Sequence, residues 1–221
     1  MGELSNLILR RWQMCNLLTG IALWLVPSSQ STSRDLQQIM DFRPSQSKSS
    51  SSKSYPHFHP HITLASGIPS TVSTTSLLAC IPEQVAPPVE FKSLEVGNTY
   101  FRSVFIVIHA SPKLLGLHQH INSELKKLDG VEPHSPRFPH MSLYYIDDSE
   151  ADERQTVADE LLSSGRVVND GRDRITLNSF IDNRCVGHEL SGFDGGEVWI
   201  VKCEGQVRQW EVLQKTVLLR S

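Results

Sequence analysis

Three things are scarce in this chain of 221 residues, and each scarcity removes a class of protein. There are four cysteines, Cys15, Cys80, Cys185 and Cys203, widely spaced and without a CxxC pair. That excludes a zinc ribbon. Scattered cysteines read as reduced thiols, as in an intracellular setting; a Cys185–Cys203 bridge between neighbouring strands is the alternative. No apolar run approaches the roughly 20 residues needed to span a bilayer. A positive balance is missing too: 21 Lys and Arg stand against 24 Asp and Glu, a formal net charge of -3. A protein that grips long nucleic acid through many phosphates carries the opposite sign, whereas a small anionic substrate held by a few groups remains compatible.

Two short segments read almost alike, Pro60-His61-Ile62-Thr63-Leu64 and Pro139-His140-Met141-Ser142-Leu143. Side chains alternate faces along a β-strand, so His61 and Thr63 share one face while Ile62 and Leu64 share the other, and His140 and Ser142 repeat the arrangement. Each strand presents an imidazole beside a hydroxyl with apolar residues behind. Two such strands facing each other make a phosphate site.

With 39% hydrophobic residues the chain has the length and composition of one globular domain of two lobes. Leu17 to Val26 has the look of a signal peptide's apolar core, but the stretch bounded by Gly20 and Pro27 also reads as a first strand, which leaves residues 1–19 as an extension. Ser33 to Phe42 has helical spacing. The serine-rich run 44–54 lacks apolar surface and is expected to be a flexible loop, after which Tyr55 starts the first motif strand. Thr74 to Ile81 is a short helix. Val89 to Val96 and Tyr100 to His109 form a strand pair with Gly97-Asn98 as the turn signal. Pro112 opens a helix to about Leu128, and Ser149 to Leu162 forms another. Ile175 to Ile181 and Glu197 to Cys203 are further strands, with strand continuation or tail after Gln206; the domain is set at 20–213 with a tail at 214–221. Each half supplies strands, a helix and one His-x-Thr/Ser unit, which predicts two α+β lobes related by a pseudo-twofold axis with the site in the cleft between them.

At a spacing of 79 residues (140 minus 61), each preceded by proline, the pair resembles the two His-x-Thr/Ser-x tetrapeptides of the 2H phosphoesterase superfamily. More closely, the chain is similar to the fungal cyclic nucleotide phosphodiesterases that open ADP-ribose 1″,2″-cyclic phosphate. That similarity takes in Ile21 to Pro27, Ser66-Gly67-Ile68-Pro69, Leu94 to Gly97, Tyr100-Phe101 and Gly195 to Trp199, over roughly residues 20 to 213. The resemblance implies a bilobal α+β fold with two antiparallel sheets around a central cleft, and metal-independent hydrolysis of a five-membered cyclic phosphate linked to the breakdown of a tRNA-splicing product. It also implies no cofactor, a small-molecule cyclic phosphate as partner, a monomer, and a place in the cytosol or at the Golgi. The serine-rich run and the 1–19 extension depart from the family pattern.

In-line opening of a cyclic phosphodiester needs a base on one side of phosphorus and an acid on the other, and histidine serves both roles near neutral pH. The residues alone leave the two interchangeable; the resemblance implies His140 as proton acceptor and His61 as proton donor. Thr63 and Ser142 are the candidate donors to the non-bridging oxygens. Trp24 and Tyr145 are candidates for a flat wall against the nucleoside, with Phe101 as a third. Tyr145 reaches the His140 face only if a bulge or the strand end breaks the alternation. His57, His59 and His61 have a spacing that zinc can use, set against the reading of His57 and His59 as loop residues. His109, His118, His120, His134 and His188 are taken as surface or structural, and Trp199 and Trp210 as packing residues.

Overall fold

The computed structural model describes residues 20–135, 137–179 and 188–219. Ten strands and four helices follow in the order β1 (Ile21–Pro27), α1 (Gln30–Asp41), β2 (Ile62–Ile68), α2 (Thr74–Ala79), β3 (Pro88–Thr99), β4 (Arg102–Ile108), α3 (Pro112–Leu125), β5 (His140–Tyr144), α4 (Glu153–Ser163), β6 (Val167–Asn169), β7 (Ile175–Asn178), β8 (Glu189–Leu190), β9 (Gly192–Lys202) and β10 (Glu211–Val217). The expected α+β class with two antiparallel sheets is what the structure contains. One sheet has seven strands in the order β1-β2-β5-β4-β3-β9-β10, and β6, β7 and β8 make a separate three-stranded sheet. Because β1 also pairs with β9, six strands of the large sheet close a ring. Strand β9 makes this closure by changing partners: Gly192 to Asp194 lie against β3, and Gly195 to Lys202 lie against β1.

Every residue of β1 is buried. Ile21, Leu23 and Leu25 join the main core, while Ala22, Trp24 and Val26 pack on the other face with Val201 and Cys203. A strand covered on both faces reads as a continuous apolar run, which is why this segment resembles a signal core in the sequence. The helices cover one side of the sheet through single apolar stripes. Ser29 caps α1, which buries Leu36, Ile39 and Met40; Ser111 caps α3, Pro112 opens it, and Leu114, Leu117, Ile121 and Leu125 form its buried face. No helix among the described residues is long and apolar enough to cross a membrane.

Several expectations change. The hairpin between β3 and β4 turns at Tyr100 and Phe101 rather than at Gly97-Asn98. Gly97 and Asn98 form a bulge in β3, and a Cβ at Gly97 would sit 1.9 Å from the Arg102 carbonyl oxygen, so the glycine serves close strand approach instead of a turn. Strand β10 takes in Gln214 to Val217, the first residues of the segment left as a tail. Strands β6 and β8 lie where no strand was expected, and the far end of the Ile175 to Ile181 segment lies outside the described residues, as do residues 1–19.

The serine-rich run is held in place, and its anchors are polar. Glu150 accepts from the hydroxyls of Ser49 and Ser54 at 2.6 Å each and from the backbone N–H groups of Ser50 and Ser51; Ser51 Oγ donates to Asp147, and Ser47 Oγ and Tyr55 Oη donate to Glu153. These donors hold the Glu150 carboxyl down at about 2. A segment without apolar surface is ordered here by carboxylates from α4 and the turn before it. The consequence for the site is direct, because the run leads into Phe58, whose ring stacks on Tyr145 at 4.0 Å.

Candidate active site

The two motif strands are neighbours in one sheet, antiparallel, with Ile62 paired to Met141. These residues stand in equivalent positions of the two motifs, so a local twofold axis passes between them. Continuing that register sets His61 across from Ser142 and Thr63 across from His140. Each imidazole therefore lies opposite the other motif's hydroxyl.

A cavity of about 570 Å³ opens over this junction, and Trp24, His61, Thr63, His140, Ser142 and Tyr145 all line it. With Phe101, which also lines it, all seven sequence candidates are brought together. His61 Nδ1 lies 2.7 Å from the His59 carbonyl oxygen and His140 Nδ1 lies 3.2 Å from that of Arg137. A carbonyl oxygen only accepts, so Nδ1 carries the proton in both rings and Nε2 is the free nitrogen. Burial pushes the His61 imidazole down to about 3, with the bond to His59 opposing the shift and the charges of His140 and His59 adding to it. It pushes His140 down to about 4, where the bond to Arg137 opposes and the Arg102 charge adds. Both shifts favour the neutral ring near pH 7, which leaves Nε2 able to accept a proton.

The other candidates occupy distinct settings. Trp24 stacks face to face on His61, with ring centroids 3.7 Å apart and planes 10° from parallel. One face of the ring proposed as a nucleoside wall is therefore taken by the histidine. Ser142 Oγ donates to the Phe101 carbonyl oxygen at 2.9 Å, so its proton must turn away from that oxygen to reach a phosphate. Thr63 Oγ1 has no hydrogen-bond partner among the described residues. Tyr145 reaches the cavity by an irregularity: Phe105 pairs with Ser142 but Val104 pairs with Tyr144, leaving Leu143 bulged. The alternation inverts there, sending Tyr144 to the core, where its hydroxyl donates to the Ile39 carbonyl, and Tyr145 to the cavity.

The sequence missed Arg102, Ser66, Ser135, His134 and Trp210 as cavity-lining residues. His134 is exposed and bridges to Ser66, and Trp210 packs against the core, as expected, and both also line the cavity. Trp210 lies nearly parallel to Phe101, at 5.8 Å and 24°, and with Tyr145 these rings make an aromatic end to the cavity. Arg102 and Phe101 enter because the hairpin turns three residues later than Gly97-Asn98 signals. The three alternating histidines do not converge: His57 turns to Asp41 and Gln37 of α1, and His59 packs edge-on to Trp199 at 4.9 Å. No group of three His, Cys, Asp or Glu side chains among the described residues is placed to hold a metal. Cys203 is buried against the cavity; Cys185 lies outside the described residues.

Residues 19–218 match the family described as cyclic phosphodiesterase-like protein. The chain is 26% identical to a 2′,3′-cyclic-nucleotide 3′-phosphodiesterase of Neurospora crassa over 91% of this chain and 100% of that protein. It is 24% identical to one of Yarrowia lipolytica, over 88% of this chain and 97% of that protein. Among solved structures, E. coli LigT complexed with ATP superposes with a TM-score of 0.52 at 14% identity, covering 91% of this chain and 99% of LigT, a likeness of fold.

Proposed function

The chain belongs to the cyclic phosphodiesterase-like family of the 2H phosphoesterase superfamily, and on that premise we propose that it hydrolyses 2′,3′-cyclic nucleotides to nucleoside 2′-phosphates without a metal. The observation that carries this reading is the pair of imidazoles in one cavity, each with Nδ1–H tied to a carbonyl and Nε2 free, each across from a hydroxyl. Water attacks phosphorus opposite O3′. His140 Nε2 takes the water proton, the P–O3′ bond breaks, and His61, protonated at Nε2, gives its proton to O3′. The bound phosphate supplies the negative charge that favours that proton on a buried ring. Thr63 and Ser142 donate to the non-bridging oxygens, where charge accumulates in the transition state. The aromatic end formed by Phe101, Tyr145 and Trp210 takes the base, and Trp24 holds the His61 ring by its face.

The finer reading names ADP-ribose 1″,2″-cyclic phosphate, a by-product of tRNA splicing, as a substrate of the same site; a cavity of this volume holds more than a cyclic phosphate ring. Purified protein incubated with that compound, with a 2′,3′-cyclic nucleotide and with an RNA ending in a cyclic phosphate distinguishes the readings when products are separated by chromatography. Opening of both small molecules in the presence of a strong chelator is expected. Opening of the RNA alone would replace this reading with RNA-end processing, and loss of activity to the chelator would overturn the metal-free chemistry.

A further inference from the structure

Of the described residues that line the cavity, only Arg102 carries a permanent charge, and no carboxylate is among them. A cyclic phosphodiester carries one negative charge and its opened product nearly two. The Arg102 guanidinium has no ion-pair partner among the described residues, and its Nε is buried with no hydrogen-bond partner. Burial, and after it the positive charge of the neighbouring Arg137, makes the Arg102 charge harder to keep.

Local structure puts this side chain where it is. The Gly97-Asn98 bulge moves the turn to Tyr100 and Phe101, so Arg102 opens β4 with its guanidinium 5.5 Å from the centre of the Phe105 ring. Phe105 in turn meets His140 edge-on at 5.5 Å. We propose that Arg102 is the anion-binding side chain of this cavity, its guanidinium hydrogen-bonded to a non-bridging oxygen of the substrate phosphate on the His140 side. The proposal rests on the function given above and adds to it a residue outside the tetrapeptides. It also gives the two histidines different surroundings: at His140 the Arg102 charge adds to burial in disfavouring a proton, whereas at His61 burial is joined by the charges of His140 and His59.

The test is titration calorimetry of wild type, Arg102→Met and Arg102→Lys with a nucleoside 2′-phosphate and with the parent nucleoside, alongside kcat and KM on a 2′,3′-cyclic nucleotide. Methionine keeps the aliphatic packing on Phe105. Arg102→Met is expected to bind the 2′-phosphate about 10- to 100-fold more weakly, the loss of charge-assisted hydrogen bonds, and to bind the nucleoside as wild type does. Arg102→Lys, with the charge but without the fork, falls between and covers the case in which the methionine variant does not fold. Equal affinity of all three proteins for the 2′-phosphate would overturn the proposal. Should wild type open no cyclic phosphate while Arg102→Met still loses affinity for the phosphate ester, the proposed function fails and the anion-binding role of Arg102 stands.

Discussion

His61 and His140 occupy equivalent positions of one repeated tetrapeptide, share the same Nδ1–H to carbonyl anchor, and sit in different worlds. His61 is almost fully buried, 5% exposed, with its face covered by Trp24. His140 is half-buried at the cavity edge, meets only the rim of Phe105, and feels Arg102. The local twofold relates backbone and motif; it does not relate what packs around them. Two copies of the same four residues therefore differ in protonation behaviour, because protonation is set by the surroundings of a ring and not by its place in a motif.

The strongest way to break the comparison is to remove each ring. His61→Ala and His140→Ala are each expected to lower kcat on a cyclic nucleotide by about 10²- to 10⁴-fold. A nucleoside 4-nitrophenyl phosphodiester sharpens it, since that leaving group departs without a proton. His61→Ala should recover most of its loss on that substrate, while His140→Ala should not. Equal recovery by both variants, or by neither, would erase the assignment of acid and base.

Next in size is Trp24. Trp24→Ala is expected to cost about 3–5 kcal/mol of stability, read from denaturant melts. Trp24→Phe keeps a flat face against His61, and Trp24→Leu does not. With the imidazole no longer held in plane, Trp24→Leu should lose about tenfold or more in kcat with little change in KM, whereas Trp24→Phe stays near wild type. A leucine variant as active as the phenylalanine one would mean that the stacking on His61 is packing alone.

The smallest effect is on acid stability. Both rings have folded-state values below the 6.5 of the free side chain, so below pH 6.5 the unfolded chain binds protons that the folded one refuses, and stability falls as pH falls. The His140 contribution ends near its folded value of about 4, and that of His61 continues to about 3. Melting temperatures of wild type, His61→Gln and His140→Gln measured from pH 7 to pH 3 should show a shallower acid slope in each variant, with only His61→Gln differing in slope below pH 4. Parallel slopes in all three proteins would contradict the burial argument.

Much of the frame was legible in the sequence because it depends on local pattern. The β1 strand follows from its glycine and proline bounds, β2 and β5 from the period-two motifs, and the apolar faces of α1 and α3 from helical spacing, although α1 starts three residues earlier than expected, behind the Ser29 cap. The turn at Tyr100-Phe101 was not legible, since Gly97-Asn98 has the chemistry of a two-residue hairpin and only the approach of the Arg102 carbonyl converts it to a bulge. Nor was the order of the serine run, whose partners Asp147, Glu150 and Glu153 lie about a hundred positions away. The placement of Tyr145 depended on a bulge at Leu143 that no single residue there announces.

The sequence by itself determined the chemistry available: two imidazoles and two hydroxyls, on strands whose period-two alternation forces them onto one face. Only the tertiary structure decided what differs between the copies, namely that Trp24 covers one imidazole, that Arg102 stands by the other, and that aromatic rings from three separate segments close one end of the cavity. The physical reason is that alternation and capping act over a few residues, whereas desolvation and charge act through space, on neighbours that the chain supplies from distant positions.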